Sequence, residues 1–358
     1  MLIAAWLSRE TSNLDPAAFA LVMATGIISN GLYLQGHREV SDALFAVNLL
    51  AYPWLWLLTV VRAVRFGAAL WTDLTNPARV FSFFTIVAAT GVLGSGVGLR
   101  SFPTIAVSMW LAALAIWLFM IYFAFAVLLF RNSSGPAKLM NGAWLNGIVG
   151  TQSLVILGVQ TALTSAAAPS TAALLLYALW AIGCALYGML AVLLCYRLFF
   201  FEQKPEEVSP ILWVLMGAAA ISTNAGSNLS DGFAVSGTPA FRSMQHFIDG
   251  VCLALWSWAT WSIPLLILLG IWKHGVRRVP MVYTPLMWSI VFPLGMYAVA
   301  TLRLSPLVEV PSLQSWSEIV IWIALAAWAA TAAGLVAATW RSGRAFISER
   351  GMQQRRQL

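Results

Sequence analysis

Two copies of the tripeptide Ala-Thr-Gly, at residues 24–26 and 89–91, place hydroxyl groups inside long apolar stretches of the chain. Each copy is followed by branched apolar residues and then by a serine, Ser29 in the first copy and Ser95 in the second. Small and hydroxylated residues at the centre of a membrane segment let backbones approach closely and turn polar groups away from lipid. The chemistry that these groups offer is weak hydrogen bonding without charge.

The apolar stretches that carry these hydroxyls lack Asp, Glu, Lys, Arg and His near their centres. One such charge would cost about 2.5–3.5 kcal/mol at the bilayer centre, so its presence would have marked a functional site. The chain also lacks the His-Glu-x-x-His helix of zinc enzymes and the Gly-x-Ser-x-Gly elbow of hydrolases. We therefore predict no catalytic residue, no metal site and no cofactor, and a membrane enzyme is poorly supported.

The composition indicates that helices crossing a membrane position these residues. Of the 358 residues, 60% are hydrophobic and only 9% are charged, and the mean hydropathy is +0.82. A typical soluble domain carries about 25% charged residues, and apolar runs of this length predict spanning helices. We predict an all-α polytopic membrane protein with ten apolar segments, at residues 16–35, 41–64, 80–99, 103–130, 140–163, 170–200, 209–230, 244–271, 282–303 and 316–340.

The placement of the basic residues predicts the orientation of these segments. With the N-terminus inside the cell, 16 of the 20 Lys and Arg residues fall in cytoplasmic loops or tails, and only Arg38, Arg100, Arg242 and Arg303 fall on the other side. The positive-inside rule then puts both termini in the cytoplasm of a multi-pass protein of the cell inner (plasma) membrane. The net charge of +7 therefore indicates topology, and we expect no nucleic-acid partner. We predict one transmembrane domain over residues 1–340 and a short basic cytoplasmic tail over residues 341–358.

The odd-numbered segments differ in character from the even-numbered ones. Polar or small centres recur in the odd segments at Thr25, Thr90, Thr151, Thr223 and Gly295, at spacings of 65, 61, 72 and 72 residues. The even segments carry tryptophans instead, which suit lipid contact and interfacial belts. We predict five odd helices in an inner ring around a central channel and five even helices outside them. The candidate pore-lining residues are Thr25, Gly26, Ser29, Thr90, Gly91, Thr151, Gln152, Thr223, Asn224, Pro293 and Gly295.

A plainer interpretation competes with this one, because Gly, Ser and Thr in a membrane helix also serve simply to pack helices together. The alternation of five segments with five of opposite character favours a shared inner surface. An uncharged wall of hydroxyls, amides, aromatic rings and bare backbone could pass anions that need only weak donors.

Segment nine carries a candidate gate. Pro293 removes a backbone donor and bends the helix, and Gly295 allows a close approach of neighbouring helices. A bend beside Phe292 could direct its ring into the channel, where an aromatic plug would block ions sterically and by dewetting. We predict Phe292 as the gate.

The stretch from Phe19 to Ser29 resembles the first helix of the tellurite-resistance/dicarboxylate transporter family, which is related to the plant guard-cell slow anion channel (the voltage-dependent anion channel superfamily). Trp213 to Gly217 and Phe292 to Gly295 also match the pattern of that family, and the resemblance spans all ten segments. It implies five helical hairpins in a quasi-fivefold arrangement around a central pore, and a homotrimer. It also implies that Phe292 occupies the position of the pore-occluding phenylalanine of the family.

Three functions remain open on the sequence alone. The first is transport of small anions, such as a C4-dicarboxylate, a halide, nitrate, sulfite or a tellurite-like anion, through an uncharged pore. The second is a proton-coupled dicarboxylate carrier, in which the substrate could bring its own proton. The third is a membrane enzyme or sensor, which the lack of a buried catalytic group disfavours. Under the first two, the partners are small anions and the lipid bilayer.

Overall fold

Ten long helices make up most of the computed structural model, which describes residues 2–131, 141–164, 169–235 and 239–355. No strand occurs among these residues, so the predicted all-α class is confirmed. In chain order the helices are α1 (Ala20–Leu34), α2 (Arg38–Arg65), α3 (Phe84–Leu99), α4 (Pro103–Arg131), α5 (Asn146–Ala162), α6 (Ser170–Phe200), α7 (Val214–Val235), α8 (Gln245–Ile271), α9 (Trp288–Leu307) and α10 (Ser312–Arg355).

Eight of these helices, counted within the described ranges, are long and apolar enough to cross a membrane. Helix α1 is apolar but has only 15 residues. Helix α7 has 22 residues but lies outside the set of eight, and Ser, Thr and Asn residues occupy its centre. A polytopic membrane protein is thus confirmed, while ten crossings and their quasi-fivefold arrangement stay predictions.

Four of the odd helices begin later than their predicted segments because a short 3₁₀ turn precedes each one. These turns span Val80–Phe83, Gly142–Leu145, Pro210–Trp213 and Pro285–Met287. Proline suits the first position of such a turn since its φ angle is already fixed there. Before the second turn, Asn141 Oδ1 accepts a hydrogen bond from the amide of Ala143 at 2.9 Å.

The odd helices lie inside and the even helices lie outside. All residues in the most apolar 18-residue window of Val80–Leu99 are buried, and 94% of those in Gly142–Ala162 are buried. The corresponding shares are 11% for Arg38–Arg65 and 22% for Gln245–Val276. Large apolar side chains such as Leu50, Trp54 and Trp261 are exposed on the outer helices, as a lipid-facing surface requires.

The five inner helices form a closed ring, in which α1 packs on α3, α3 on α5, α5 on α7, α7 on α9, and α9 on α1 again. Two glycines show how close these helices lie. A Cβ atom added at Gly91 would stand 2.8 Å from Ser153 Cβ, and one added at Gly295 would stand 2.9 Å from Ile27 Cγ2. Small residues therefore bring the ring together, as in other membrane helix contacts.

All inner helices begin at the same end of the molecule. The short helix Leu2–Ser12, which precedes α1, contacts the late part of α10, where Trp6 Nε1 donates to Ser342 Oγ at 3.1 Å. We call this end the terminal end. At the opposite, distal end, Arg100 of α3 donates to Asp42 of α2 at 2.7 Å. The ring helices thus run parallel, from the terminal end to the distal end.

Helix α10 is continuous across residue 340, where the sequence predicts the end of the membrane domain. Residues 356–358 of the predicted tail lie outside the described residues. The division into a membrane domain and a tail therefore stays a prediction.

Candidate functional site

A small cavity of about 30 Å³ lies inside the ring of inner helices, and every one of the five helices contributes to its wall. Its apolar lining comes from Ile27, Leu34, Val92, Leu99, Ile156, Met296 and Val299. Its other lining residues are Asn30, Gly91, Ser95, Ser153, Gln160, Asn224, Asn228 and Arg303. A space shared by all five helices identifies the axis of the ring as the candidate site.

The lining residues recur at steps of three and four, which is the spacing of one helix face. Helix α5 contributes Ser153, Ile156 and Gln160, and α9 contributes Met296, Val299 and Arg303. The lining positions fall toward the distal end of each helix. The cavity therefore occupies the distal part of the axis.

Amide and hydroxyl groups form the polar part of the lining. Asn228 Nδ2 donates to the carbonyl and to Oδ1 of Asn224, at 2.7 and 2.9 Å. Asn30 Nδ2 donates to the carbonyl of Val92 at 2.9 Å and so connects α1 to α3. Asn30 Oδ1 and Gln160 Oε1 are buried without a hydrogen-bond partner. The cavity thus offers neutral polar groups whose hydrogen bonds are incompletely satisfied by the protein.

Arg303 carries the only formal charge among the residues described as lining this cavity. It is the last of the α9 lining residues, so its guanidinium group lies at the distal mouth. Asp231 Oδ2, on α7, stands 3.9 Å from Arg303 Nη1, and the Asp231 side chain is 52% exposed. A cation at the rim of a narrow, low-dielectric cavity raises the local concentration of anions.

The same helix faces become apolar on the terminal side of the cavity. Phe292 lies one turn before Met296 on α9, and only 2% of its surface is exposed. Stepping back by the same spacing on the other helices reaches Met23, Ala88, Val149 and Ala220, which are all buried. The five inner helices thus present two alanines, a valine, a methionine and one aromatic side chain at this height along the axis.

The structure brings two of the predicted pore-lining residues, Gly91 and Asn224, to the cavity. The threonines of the Ala-Thr-Gly copies lie elsewhere. Thr25 precedes the lining residue Ile27 by two positions, and Thr90 precedes Val92 by the same step. Two residues turn a helix by about 200°, so these hydroxyls point away from the axis.

An aromatic side chain of an outer helix contacts each inner helix on that far face. Tyr52 hydrogen-bonds to the hydroxyl of Thr90 at 2.9 Å, and Trp117 Nε1 donates to the hydroxyl of Thr151 at 2.8 Å. On the other three inner helices the contacts come from indole Nε1 donors: Trp180 to the carbonyl of Ser222 (3.1 Å), Trp256 to the hydroxyl of Thr301 (2.9 Å) and Trp328 to the hydroxyl of Thr25 (2.9 Å). The assignment of all outer-helix tryptophans to lipid contact is therefore wrong for this set.

The other predicted lining residues occupy contacts between helices. Ser29 donates to the carbonyl of Ser41, Thr223 to the carbonyl of Cys252, and Gln152 to the carbonyl of Trp180. Gly26 lies against Asn48 and Val92, Pro293 against Gly217, and Gly295 against Ile27 and Ile28. For these residues and the three threonines, the packing interpretation describes the observed contacts.

Sequence reasoning missed Asn30, Ser95, Ser153, Gln160, Asn228 and Arg303 as lining residues. A signal for two of them was present, because Asn30 and Ser95 each follow the threonine of an Ala-Thr-Gly copy by five residues. Positions that recur at the same offset from a repeat share a face, and five residues turn a helix by about 140° from the threonine. The repeat was thus informative, but its threonine lies on the face that contacts the outer helix and not on the face that lines the cavity.

Comparison with known proteins gives three relevant matches. The family model described as "Voltage-dependent anion channel" (SLAC1) matches residues 13–336. An uncharacterized membrane protein of Mycobacterium tuberculosis strain H37Rv is 36% identical over 163 residues, which cover 44% of this chain and 81% of the relative. An uncharacterized transporter of Methanocaldococcus jannaschii is 24% identical over 301 residues, which cover 81% of this chain and 84% of the relative.

Proposed function

The chain belongs to the voltage-dependent anion channel family, and from that premise we propose that it conducts small anions along the axis of its inner ring. The cavity is the distal vestibule of that path, and Phe292 occludes the path on the terminal side of the vestibule. The anions considered are a C4-dicarboxylate, a halide, nitrate, sulfite and a tellurite-like anion. The protein works in the cell inner (plasma) membrane as a homotrimer with both termini in the cytoplasm.

The observation that carries this proposal is the position of the cavity, which lies on the axis of a closed ring and is lined by all five of its helices. Conduction also requires that an ion bind strongly enough to enter and weakly enough to leave. A primary amide carries two N–H donors, and Asn30 uses one of them on the carbonyl of Val92. A remaining neutral donor of this kind, with one cation at the mouth, meets that requirement.

The apolar level at Phe292 supports the proposed occlusion. Phe292 shares the helix face of Met296, which lines the vestibule, and it is buried where the small residue Ala220 occupies the neighbouring helix α7. An aromatic ring facing the axis at a level without polar groups would exclude hydrated ions by size and by dewetting. A proton-coupled dicarboxylate carrier is the alternative, and it would need a proton site on the substrate because no carboxylate is among the described lining residues.

Replacement of the Phe292 side chain tests the proposal. We expect Phe292→Ala, reconstituted in planar bilayers with chloride, to raise the anion conductance at least tenfold, because the apolar barrier is removed. Val291→Ala is the matched control, since Val291 is also fully buried on α9 but lies off the face of Phe292 and Met296. A variant whose chloride conductance stays at the wild-type level would overturn the occlusion.

The same preparation separates channel from carrier. For a channel, the reversal potential follows the chloride gradient, and an imposed pH gradient leaves it unchanged. For a proton-coupled carrier, uptake of a C4-dicarboxylate into vesicles rises with an inward proton gradient. Transport that depends on the pH gradient would show that the protein is a proton-coupled carrier and not a channel.

A further inference from the structure

Two polar residues lie on the axis-facing sides of α5 and α9, on the terminal side of the apolar level. Asn146 precedes Val149 by three residues and the lining residue Ser153 by seven. Ser289 precedes Phe292 by three and the lining residue Met296 by seven. A step of seven residues is close to two full turns, so each of these residues lies on the helix face that lines the vestibule.

Asn146 has a hydrogen-bond donor that the protein leaves unused. The residue is 3% exposed, and its Nδ2 atom is buried without a hydrogen-bond partner among the described residues. Leaving a buried donor unsatisfied costs about 1–3 kcal/mol. A retained donor on this face therefore calls for a partner other than the protein, and an ion or a water molecule on the axis would supply it.

The groups at this end of the molecule favour a negatively charged partner for Asn146. Ser289 as a residue is 5% exposed, and its hydroxyl makes no hydrogen bond within the described part of the chain, so it is free to donate. The inner helices begin at this end, and their N-terminal amide groups carry partial positive charge. Two acidic groups at this end of the molecule are engaged: Asp15 Oδ1 accepts from the amide of Ala17, and Asp73 pairs with Arg62 and Arg79.

We propose that Asn146 and Ser289 form a second anion-binding site, on the terminal side of Phe292. This site rests on the proposed function, because it lies on the same conduction path. Its donors are neutral, and neither Lys nor Arg belongs to it. A small monovalent anion such as chloride or nitrate fits such a site better than a dicarboxylate, which would need a positive partner for each carboxylate. The anion then moves between two polar sites that the Phe292 level separates.

Bromide provides a direct probe of the site. Crystals of the full-length protein grown in sodium bromide should show anomalous density beside Asn146 Nδ2, and Asn146→Asp should abolish it because a carboxylate repels the ion. Asn48→Asp is the matched control: Asn48 is also a buried, unpartnered amide, but it lies on the outer helix α2. Density that refines as water alone in the wild type would overturn the site.

Conductance distinguishes a failure of this site from a failure of the path. In the Phe292→Ala background, we expect Asn146→Asp to lower the chloride conductance about tenfold, equivalent to about 1.4 kcal/mol. Ser289→Ala is the milder substitution, because it introduces no charge, and it should lower the chloride conductance about threefold. If bromide binds beside Asn146 but the protein does not conduct, the proposed conduction path is wrong and the proposed anion site stands. If neither variant changes the conductance and no bromide density appears, the proposed anion site is wrong and the proposed conduction path stands.

Discussion

The two faces of the inner helices use the same residue types for different purposes. On the axis-facing side, the Ser153 hydroxyl donates to the carbonyl of Gly150 at 2.7 Å but accepts no hydrogen bond from the described residues, and Asn30 keeps an unpartnered oxygen. On the opposite face, the Thr151 hydroxyl donates to the carbonyl of Gly147 and accepts from the indole of Trp117, at 2.7 and 2.8 Å. A hydroxyl with both capacities occupied has little left to offer an ion. Hydrogen-bond saturation, more than residue type, separates the wall of a path from the contact of two helices.

The far-face contacts also join the protein into a circle. Each outer aromatic residue bonds to the inner helix that follows it in the chain: α2 to α3, α4 to α5, α6 to α7 and α8 to α9. The last outer helix, α10, returns to the first inner helix, where Trp328 donates to Thr25. The ring is therefore supported from outside at every helix.

The largest effect that this comparison predicts is on the far face. Trp180 is buried, with 2% of its surface exposed, and its indole Nε1 donates to the carbonyl of Ser222. We expect Trp180→Ala to lower the free energy of unfolding by about 3–5 kcal/mol, because a buried aromatic residue leaves a cavity. Denaturant unfolding of the purified protein in detergent measures the change.

The matched control for Trp180 is Trp261→Ala on α8. Trp261 is 52% exposed on the outer surface, so its removal should change the free energy of unfolding by under about 1 kcal/mol. Equal losses in the two variants would contradict the division between supporting and lipid-facing tryptophans.

A smaller effect is expected where two ring helices touch. At Gly91, an added Cβ would meet the Ser153 side chain at 2.8 Å and its carbonyl oxygen at 3.1 Å. We expect Gly91→Val to destabilise the protein by about 1–3 kcal/mol through overpacking. Gly250→Val on the outer helix α8 is the control, because an added Cβ there meets nothing within 4 Å. A stable Gly91 variant would show that the ring is looser than its contacts indicate.

The sequence predicted the alternation of inner and outer helices well, because burial on all sides and exposure to lipid select different residues. It did not predict which face of an inner helix points to the axis. Thr25 and Ile27 are two positions apart, yet one faces Trp328 and the other the cavity. That choice depends on the register of five helices around a ring, which no local pattern contains. Phe292 as a gate stays a prediction, although its helix face is that of the lining residues.

A substitution on each face of α5 tests the comparison directly. Thr151→Val removes the acceptor of Trp117 Nε1, and we expect it to cost about 0.6–1.7 kcal/mol of stability without changing conductance. Ser153→Ala, two residues away on the cavity wall, should change the chloride conductance of the Phe292→Ala protein. Its loss of stability should not exceed the roughly 0.5–1.5 kcal/mol of the one hydrogen bond that its hydroxyl donates, to the carbonyl of Gly150. If the two variants exchanged these outcomes, the assignment of the faces would be reversed.

The smallest predicted effect concerns the charge at the distal mouth. Arg303→Gln removes the cation of the vestibule, and in the Phe292→Ala background we expect the chloride conductance at 0.1 M salt to fall about two- to threefold, equivalent to about 0.4–0.7 kcal/mol. Asp231→Asn should raise the conductance by a similar factor, since its carboxylate stands 3.9 Å from the guanidinium and opposes it. Both effects should shrink at 1 M salt, where the screening length falls from about 10 Å to about 3 Å. An Arg303 effect that persists unchanged at 1 M would instead indicate direct contact with the ion, so the salt dependence decides whether the mouth attracts anions at a distance or binds them.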